Sequence, residues 1–184
     1  MLGRTHQVAG ISFAVLAATA LYASGTPLAV NHPEVLPMMV AGGWLGGLMP
    51  DIDHKNSTIS NIKIGGLPLF KPIAWFINLL FGHRGATHTL WALLITTIPL
   101  LMIPLFLPPN LLILTVLIQL FAMGYALGYL SHLILDSMTP SGTPMLWPLP
   151  TVRLAKLPTG KYDNLVILFL TVGTAGICSL LLFL

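Results

Sequence analysis

Charge is scarce in this chain. Of 184 residues, 8 are Lys or Arg and 5 are Asp or Glu, together 7%, against roughly 25% in soluble domains. With 55% hydrophobic residues and a mean hydropathy of +0.88, this excludes an ordinary water-soluble domain and indicates a membrane protein. Cysteine is nearly absent. The single Cys178 rules out an internal disulfide and any zinc site built on cysteines. Several catalytic signatures are missing as well. There is no HExxH, no GxSxG elbow and no GxxxxGK[ST] loop, which disfavours zincin-type proteases, serine hydrolases of the elbow type and P-loop enzymes. No basic stripe with interleaved aromatics is found, so no nucleic-acid partner is expected. Proline and glycine are not scarce, at 15 and 17, but membrane helices tolerate both.

What is present is a series of apolar runs. A spanning helix needs about 20 such residues. Residues 8–24, 35–49, 90–107, 111–135 and 165–184 qualify or nearly qualify. The expected fold is all-α: a polytopic membrane helix bundle of about five transmembrane helices, forming a single transmembrane domain over residues 1–184. Pro99 and Pro104 are expected to kink the third span, and Pro108-Pro109-Asn110 to turn tightly into the fourth. Residues 67–81 are interrupted by Lys71 and Pro72 and are expected to form an interfacial or re-entrant helix. A cleaved signal peptide at the N-terminus is disfavoured, because the apolar run is long and cleavage would discard His6.

The few charges are sorted by position. Arg4 precedes the first span. Lys55, Lys63, Lys71 and Arg84 lie between the second and third, and Arg153, Lys156 and Lys161 between the fourth and fifth. Five spans put all eight on one side. The positive-inside rule makes that side cytoplasmic, with the N-terminus inside and the C-terminus outside. Gly42, Gly43, Gly46 and Gly47 in the second span, and Gly124 and Gly128 in the fourth, are spaced for close helix approach.

The remaining ionisable residues concentrate in four short stretches: THQ (5–7), PDIDH (50–54), HRGATHT (83–89) and SHLILD (131–136). Each has an ordinary explanation in isolation. His6 could be a solvated terminal residue, the aspartates after Pro50 a helix stop, and Thr87 the N-cap of the third span. Yet the topology puts all four at the same ends of the first four spans, although histidines and carboxylates took no part in assigning it. The spacing of His132 and Asp136 lets both reach one point from one helix face. Imidazole with carboxylate suits a divalent metal, zinc before manganese or iron. The candidate metal ligands are His132, Asp136, Asp53 and His88, followed by His6 and Asp51. More than four candidates allows one or two ions, or leaves groups over to orient the ligands, a role read for His54 and His83. A carboxylate or histidine free of metal, among Asp51, His54 and His83, would act as base. Arg84 with the Gly85 backbone would hold an anionic oxygen. His32 and Glu34 fall on the opposite side, and Asp163 beside Lys161 reads as surface charge.

RTH near the start, PDIDH, GHRGATHT and GYLSHLILDSMTPSGTPMLWP together resemble the YdjM-type family of bacterial inner-membrane, metal-dependent hydrolases, a family also described as LexA-regulated. The likeness runs from Arg4 to Pro148. Thr89 stands where that family usually has serine, which keeps the hydroxyl. The resemblance implies a membrane-embedded hydrolase with its metal held by these motifs. A looser similarity to zinc-dependent phospholipases C, also all-helical and also using an early histidine, aspartates and an HxxxD pair, implies a phosphoester or phospholipid substrate. The expected activity is therefore metal-dependent hydrolysis at the cytoplasmic face, with membrane lipids as surroundings and a lipid or small molecule as substrate. A metal or proton transporter, or a membrane protein with a structural metal, is the alternative.

Overall fold

The computed structural model describes residues 2–63, 65–68, 70–81 and 85–183, with the side chains of residues 28, 30 and 81 excepted. Seven helices are found among them: α1 (Gly3–Ala23), α2 (Pro27–Asn31), α3 (Val35–Leu48), α4 (Lys71–Phe81), α5 (Leu90–Met102), α6 (Leu112–Ser137) and α7 (Asp163–Phe183). Four helical stretches, Gly3–Ala23, Val35–Asp53, Pro109–Ser137 and Asp163–Phe183, are long and apolar enough to cross a membrane, and Leu90–Phe106 is a shorter fifth. The all-α expectation holds.

The centre of the bundle is the trio α1, α3 and α6, with α7 packed on α1 and α5 on α6. Glycine sets the spacing. A Cβ placed on Gly46 would lie 2.0 Å from the carbonyl oxygen of Tyr125, and one on Gly128 would lie 2.1 Å from that of Gly43. On the other flank, a Cβ on Gly10 would lie 2.2 Å from the Gly43 carbonyl oxygen. The three backbones therefore touch directly, as small residues allow between membrane helices. Beside the seam, Ala14, Ala18, Val35, Met39 and Leu120 form a fully buried apolar cluster. The outer faces of α5, the 3-10 turn after it and α7 expose Ile95, Leu105, Phe106, Leu168, Phe169 and others, as lipid-facing helices should.

Two boundaries differ from the sequence expectation. Helix α1 begins at Gly3 rather than near residue 8, so the polar turn carrying His6 is helical. Helical geometry continues through polar residues when packing holds them, whereas the apolar pattern alone marks only the lipid-facing part. Helix α4 begins at Lys71, so Lys71 and Pro72 start this helix and do not interrupt it. Proline is tolerated in a first turn, where its missing N–H has no helical partner to lose. With 11 residues, α4 spans only about 16 Å, and its exposed Trp75, Phe76, Leu79 and Leu80 suit the membrane surface. The third span shortens for a related reason. α5 ends at Met102 and a 3-10 turn runs over Ile103–Phe106, because Pro104 cannot continue the α-helical bonding.

Asp163 corrects another expectation. It is buried, not surface charge. Its carboxylate accepts from the backbone N–H of Leu2 (2.7 Å), the hydroxyl of Thr5 (2.7 Å) and the backbone N–H of Gly160 (2.8 Å). One carboxylate thus ties the start of α7 to the first turn of α1, one residue from His6. Hydrogen bonds to charged groups contribute about 1.5–3 kcal/mol each. Asp163→Ala is therefore expected to lower the thermal midpoint in detergent. Unchanged thermal melting would remove this tether from the account.

Candidate metal centre

The described residues of the four polar stretches, among them His6, Asp51, Asp53, His88, His132 and Asp136, meet at one end of the bundle. After α3, Pro50 opens a 3-10 turn over Met49–Asp53. Roughly three residues per turn send residues two apart to different sides, so Asp51 and Asp53 diverge. The stretch before α5 forms a second 3-10 turn, Ala86–His88. Thr89, not Thr87, caps α5 by accepting from the backbone N–H of Ala92, a task any hydroxyl performs. Thr87 instead donates its hydroxyl to Asp53 Oδ2 at 2.8 Å. Helix α6 contributes His132 and Asp136, and α1 contributes His6.

His6 and His132 stack, with ring centroids 3.7 Å apart and planes 15° from parallel. His132 Nδ1 lies 2.8 Å from the carbonyl oxygen of Gly47, so Nδ1 carries the proton and Nε2 presents its lone pair. That Nε2 is buried and makes no hydrogen bond. It faces Asp51 Oδ1 at 3.8 Å and Asp136 Oδ2 at 3.9 Å. His88 Nε2 faces the same two oxygens, at 3.8 and 3.6 Å. On the other edge of the His88 ring, Nδ1 meets Asp53 Oδ2 at 3.5 Å and Thr87 Oγ1 at 3.1 Å. Asp136 turns its second oxygen, Oδ1, to His6 Nε2 at 3.3 Å.

These four Nε2-to-carboxylate separations of 3.6 to 3.9 Å exceed hydrogen-bond length. They are close to the roughly 3.3 Å between ligand atoms of a tetrahedral ion with bonds of about 2.0–2.1 Å. A contraction of a few tenths of an ångström would close the cage. Two groupings have the required convergence, His6 with Asp51 and His132, and His88 with His132 and Asp136. They share His132, which has one free nitrogen and so serves one ion. Charge agrees: Asp53 and Asp136 are buried and Asp51 is only 21% exposed. Burying carboxylates together is costly without a counterion. Burial alone would lower the pKa of His88, but the surrounding carboxylates of Asp51 and Asp53 raise it to about 9. The donor set fits a divalent ion.

The remaining sequence candidates fall in different places. Asp53 belongs to neither grouping among the described residues. It braces His88 from behind, as carboxylates that orient metal-bound histidines do. The backbone of His54 shapes the turn, its N–H donating to Asp51 O and its carbonyl accepting from Ser60 Oγ at 2.7 Å. His54 also joins neither grouping among the described residues. His83 and Arg84 lie outside the described residues. Three contributors were not singled out from sequence for this role. Gly47 supplies the carbonyl that orients His132. Thr87 bridges Asp53 and His88. Tyr129 donates its hydroxyl to the Thr87 carbonyl and pins that turn. Tyr129 did carry a signal, since residues 129, 132 and 136 share a helix face. Nothing in the linear pattern marks a backbone carbonyl.

Comparison with known proteins agrees with the motifs. The family described as YdjM inner membrane protein matches residues 1–184. The chain is 34% identical over 140 residues to Inner membrane protein YdjM of Escherichia coli strain K12, covering 70% of this chain and 62% of that protein. The same values hold for Inner membrane protein YdjM of Shigella flexneri. The match therefore spans somewhat less than two thirds of those relatives. Uncharacterized protein YvsG of Bacillus subtilis strain 168 is 31% identical over 172 residues, 91% of this chain and 88% of that protein. No solved structure matches. The chain, with its apolar spanning helices and its His/Asp cage at one bundle end, belongs to the YdjM family of inner membrane proteins.

Proposed function

We propose that this protein is a metal-dependent hydrolase embedded in the inner membrane, acting on a phosphoester at the cytoplasmic headgroup layer. One observation carries the reading. His132 has its Nδ1 locked on the Gly47 carbonyl, and its buried Nε2 has no hydrogen bond while facing Asp51 and Asp136. A histidine held this way is prepared to bind an ion. His88, His132 and Asp136 would hold it and leave a coordination position for water, with Asp51 and His6 on the flank. A bound divalent ion supplies Lewis acidity and lowers the pKa of a water. Zinc suits the imidazole-rich set, ahead of manganese or iron. Asp51 is the most exposed of these groups, at 21%, and can accept a proton from incoming water. Asp53 and Thr87 keep His88 oriented. The basic residues, which the charge pattern of the sequence assigns to the cytoplasmic side, favour an anionic substrate.

The test is direct. Protein purified without chelators should contain about one divalent ion per chain, measured by elemental mass spectrometry. It should hydrolyse a phosphodiester or phospholipid, with activity lost on chelation and restored by zinc or manganese. Metal-free protein would overturn the reading. Metal-dependent flux in proteoliposomes without hydrolysis would replace it with transport.

A further inference from the structure

Beside the centre, the bundle carries two apolar clefts. The larger, about 650 Å³, lies between α4, the turn before α5 and the loop after α6. Its walls include Ile77, Ala86, Thr87, Ala92, Thr96 and Trp147. The smaller, about 360 Å³, runs between α5 and the same loop, past Leu94, Met145 and Leu149. Trp91 and Trp147 line both clefts. They are joined by a hydrogen bond from Trp91 Nε1 to the Trp147 carbonyl oxygen at 2.8 Å. The two clefts thus flank one tryptophan clasp.

Position identifies the occupant. The wall is α5, whose Trp91, Leu94 and Ile95 are 57%, 45% and 70% exposed on a helix that faces the bilayer. Molecules of the bilayer reach such a wall without leaving it. Two apolar slots side by side match two hydrocarbon chains that diverge from one headgroup. The headgroup end is also defined. Thr87 lines the larger cleft and at the same time bonds Asp53 and contacts His88 Nδ1. The cleft therefore opens beside the His/Asp centre, and its exposed Trp91 and Trp147 are of the residue type that concentrates at membrane interfaces.

The geometry points to a diacyl glycerophospholipid straddling the Trp91–Trp147 clasp, one acyl chain in each cleft, with its headgroup end toward Thr87. The orientation of the headgroup rests on the hydrolase reading. The seating of the chains does not.

Binding is measured without turnover. Phosphatidylglycerol with a photoreactive diazirine in one acyl chain is added to the detergent-solubilised, chelated protein, and adducts are mapped by mass spectrometry. Labelling of α5 and of the loop around Met145–Leu149 should saturate and be displaced by unlabelled phosphatidylglycerol. Labelling of α7 should stay unsaturated, as for bulk lipid. Ala86→Trp at the lip of the larger cleft and Leu94→Trp in the smaller should each cut saturable labelling about tenfold, with an unchanged thermal melt in detergent as proof of folding. Uniform, unsaturable labelling would overturn the inference, as would displacement by a polyprenyl phosphate or a single-chain lysolipid but not by the diacyl lipid. Absence of hydrolysis with saturable labelling would sink the enzyme reading and leave the lipid site standing. Hydrolysis with no saturable labelling would do the reverse.

Discussion

His132→Ala is expected to abolish metal binding. The substitution removes the one side chain that the two candidate ligand groupings share. It also leaves the Gly47 carbonyl without its imidazole partner. The remaining donors, His6, His88, Asp51 and Asp136, stay on their helices but lose the atom at the centre of the cage. Loss of a group that merely orients a ligand costs about 10–100-fold in metal affinity, so loss of this ligand should exceed that. Asp53→Asn provides the contrast. Its carboxylate braces His88 from the Nδ1 side, so its replacement is expected to fall within that 10–100-fold range while one ion still binds at saturation. Isothermal titration and elemental analysis of both variants check the order. Equal metal affinity in His132→Ala and the parent would mean that the cage is not where metal binds.

The second large effect comes from the helix seam. Gly46→Val is expected to unseat α3 from α6. A Cβ at Gly46 meets the Tyr125 backbone at 2.0 Å, and backbone cannot swing aside as a side chain can. Overpacking a core typically costs 1–3 kcal/mol, with larger costs where relief is blocked, so a loss of about 3 kcal/mol or more is expected here. The site should suffer with the fold. α3 delivers Asp51 through the following turn, and α6 delivers His132 and Asp136. Separating these helices by even one methyl radius would pull the 3.8 Å Asp51–His132 approach apart. Gly176→Val on α7, where a Cβ meets nothing within 4 Å, is the matching control and should change little. Thermal melting in detergent with metal titration tests both. A Gly46→Val protein with parental stability and metal affinity would refute the direct backbone contact.

Much of this organisation was legible in the chain. Apolar runs of spanning length mark membrane helices, because an uncompensated backbone cannot sit in hydrocarbon and must close its hydrogen bonds within a helix. The segregation of basic residues ordered the spans, and that order alone gathered THQ, PDIDH, HRGATHT and SHLILD at one bundle end. His132 and Asp136 could be paired by their spacing, since helical periodicity is fixed. The close glycine contacts followed from small-residue spacing for the same reason.

Other features were decided only in three dimensions. Asp51 and Asp53 are chemically identical and two residues apart, and no pattern says which faces Nε2 of His88 and which faces Nδ1. The 3-10 turn after Pro50 and the packing of the Ala86–His88 turn make that choice. Thr87 could have capped α5, and its actual bond to Asp53 depends on Tyr129 holding the turn from another helix. Asp163 looked like surface charge beside Lys161 until the fold brought Leu2 and Thr5 to it across more than 150 positions of chain. Periodicity and charge act over short stretches or across the whole membrane, so linear order records them. The direction of a buried carboxylate is set by contacts between distant segments, and those exist only once the helices have packed.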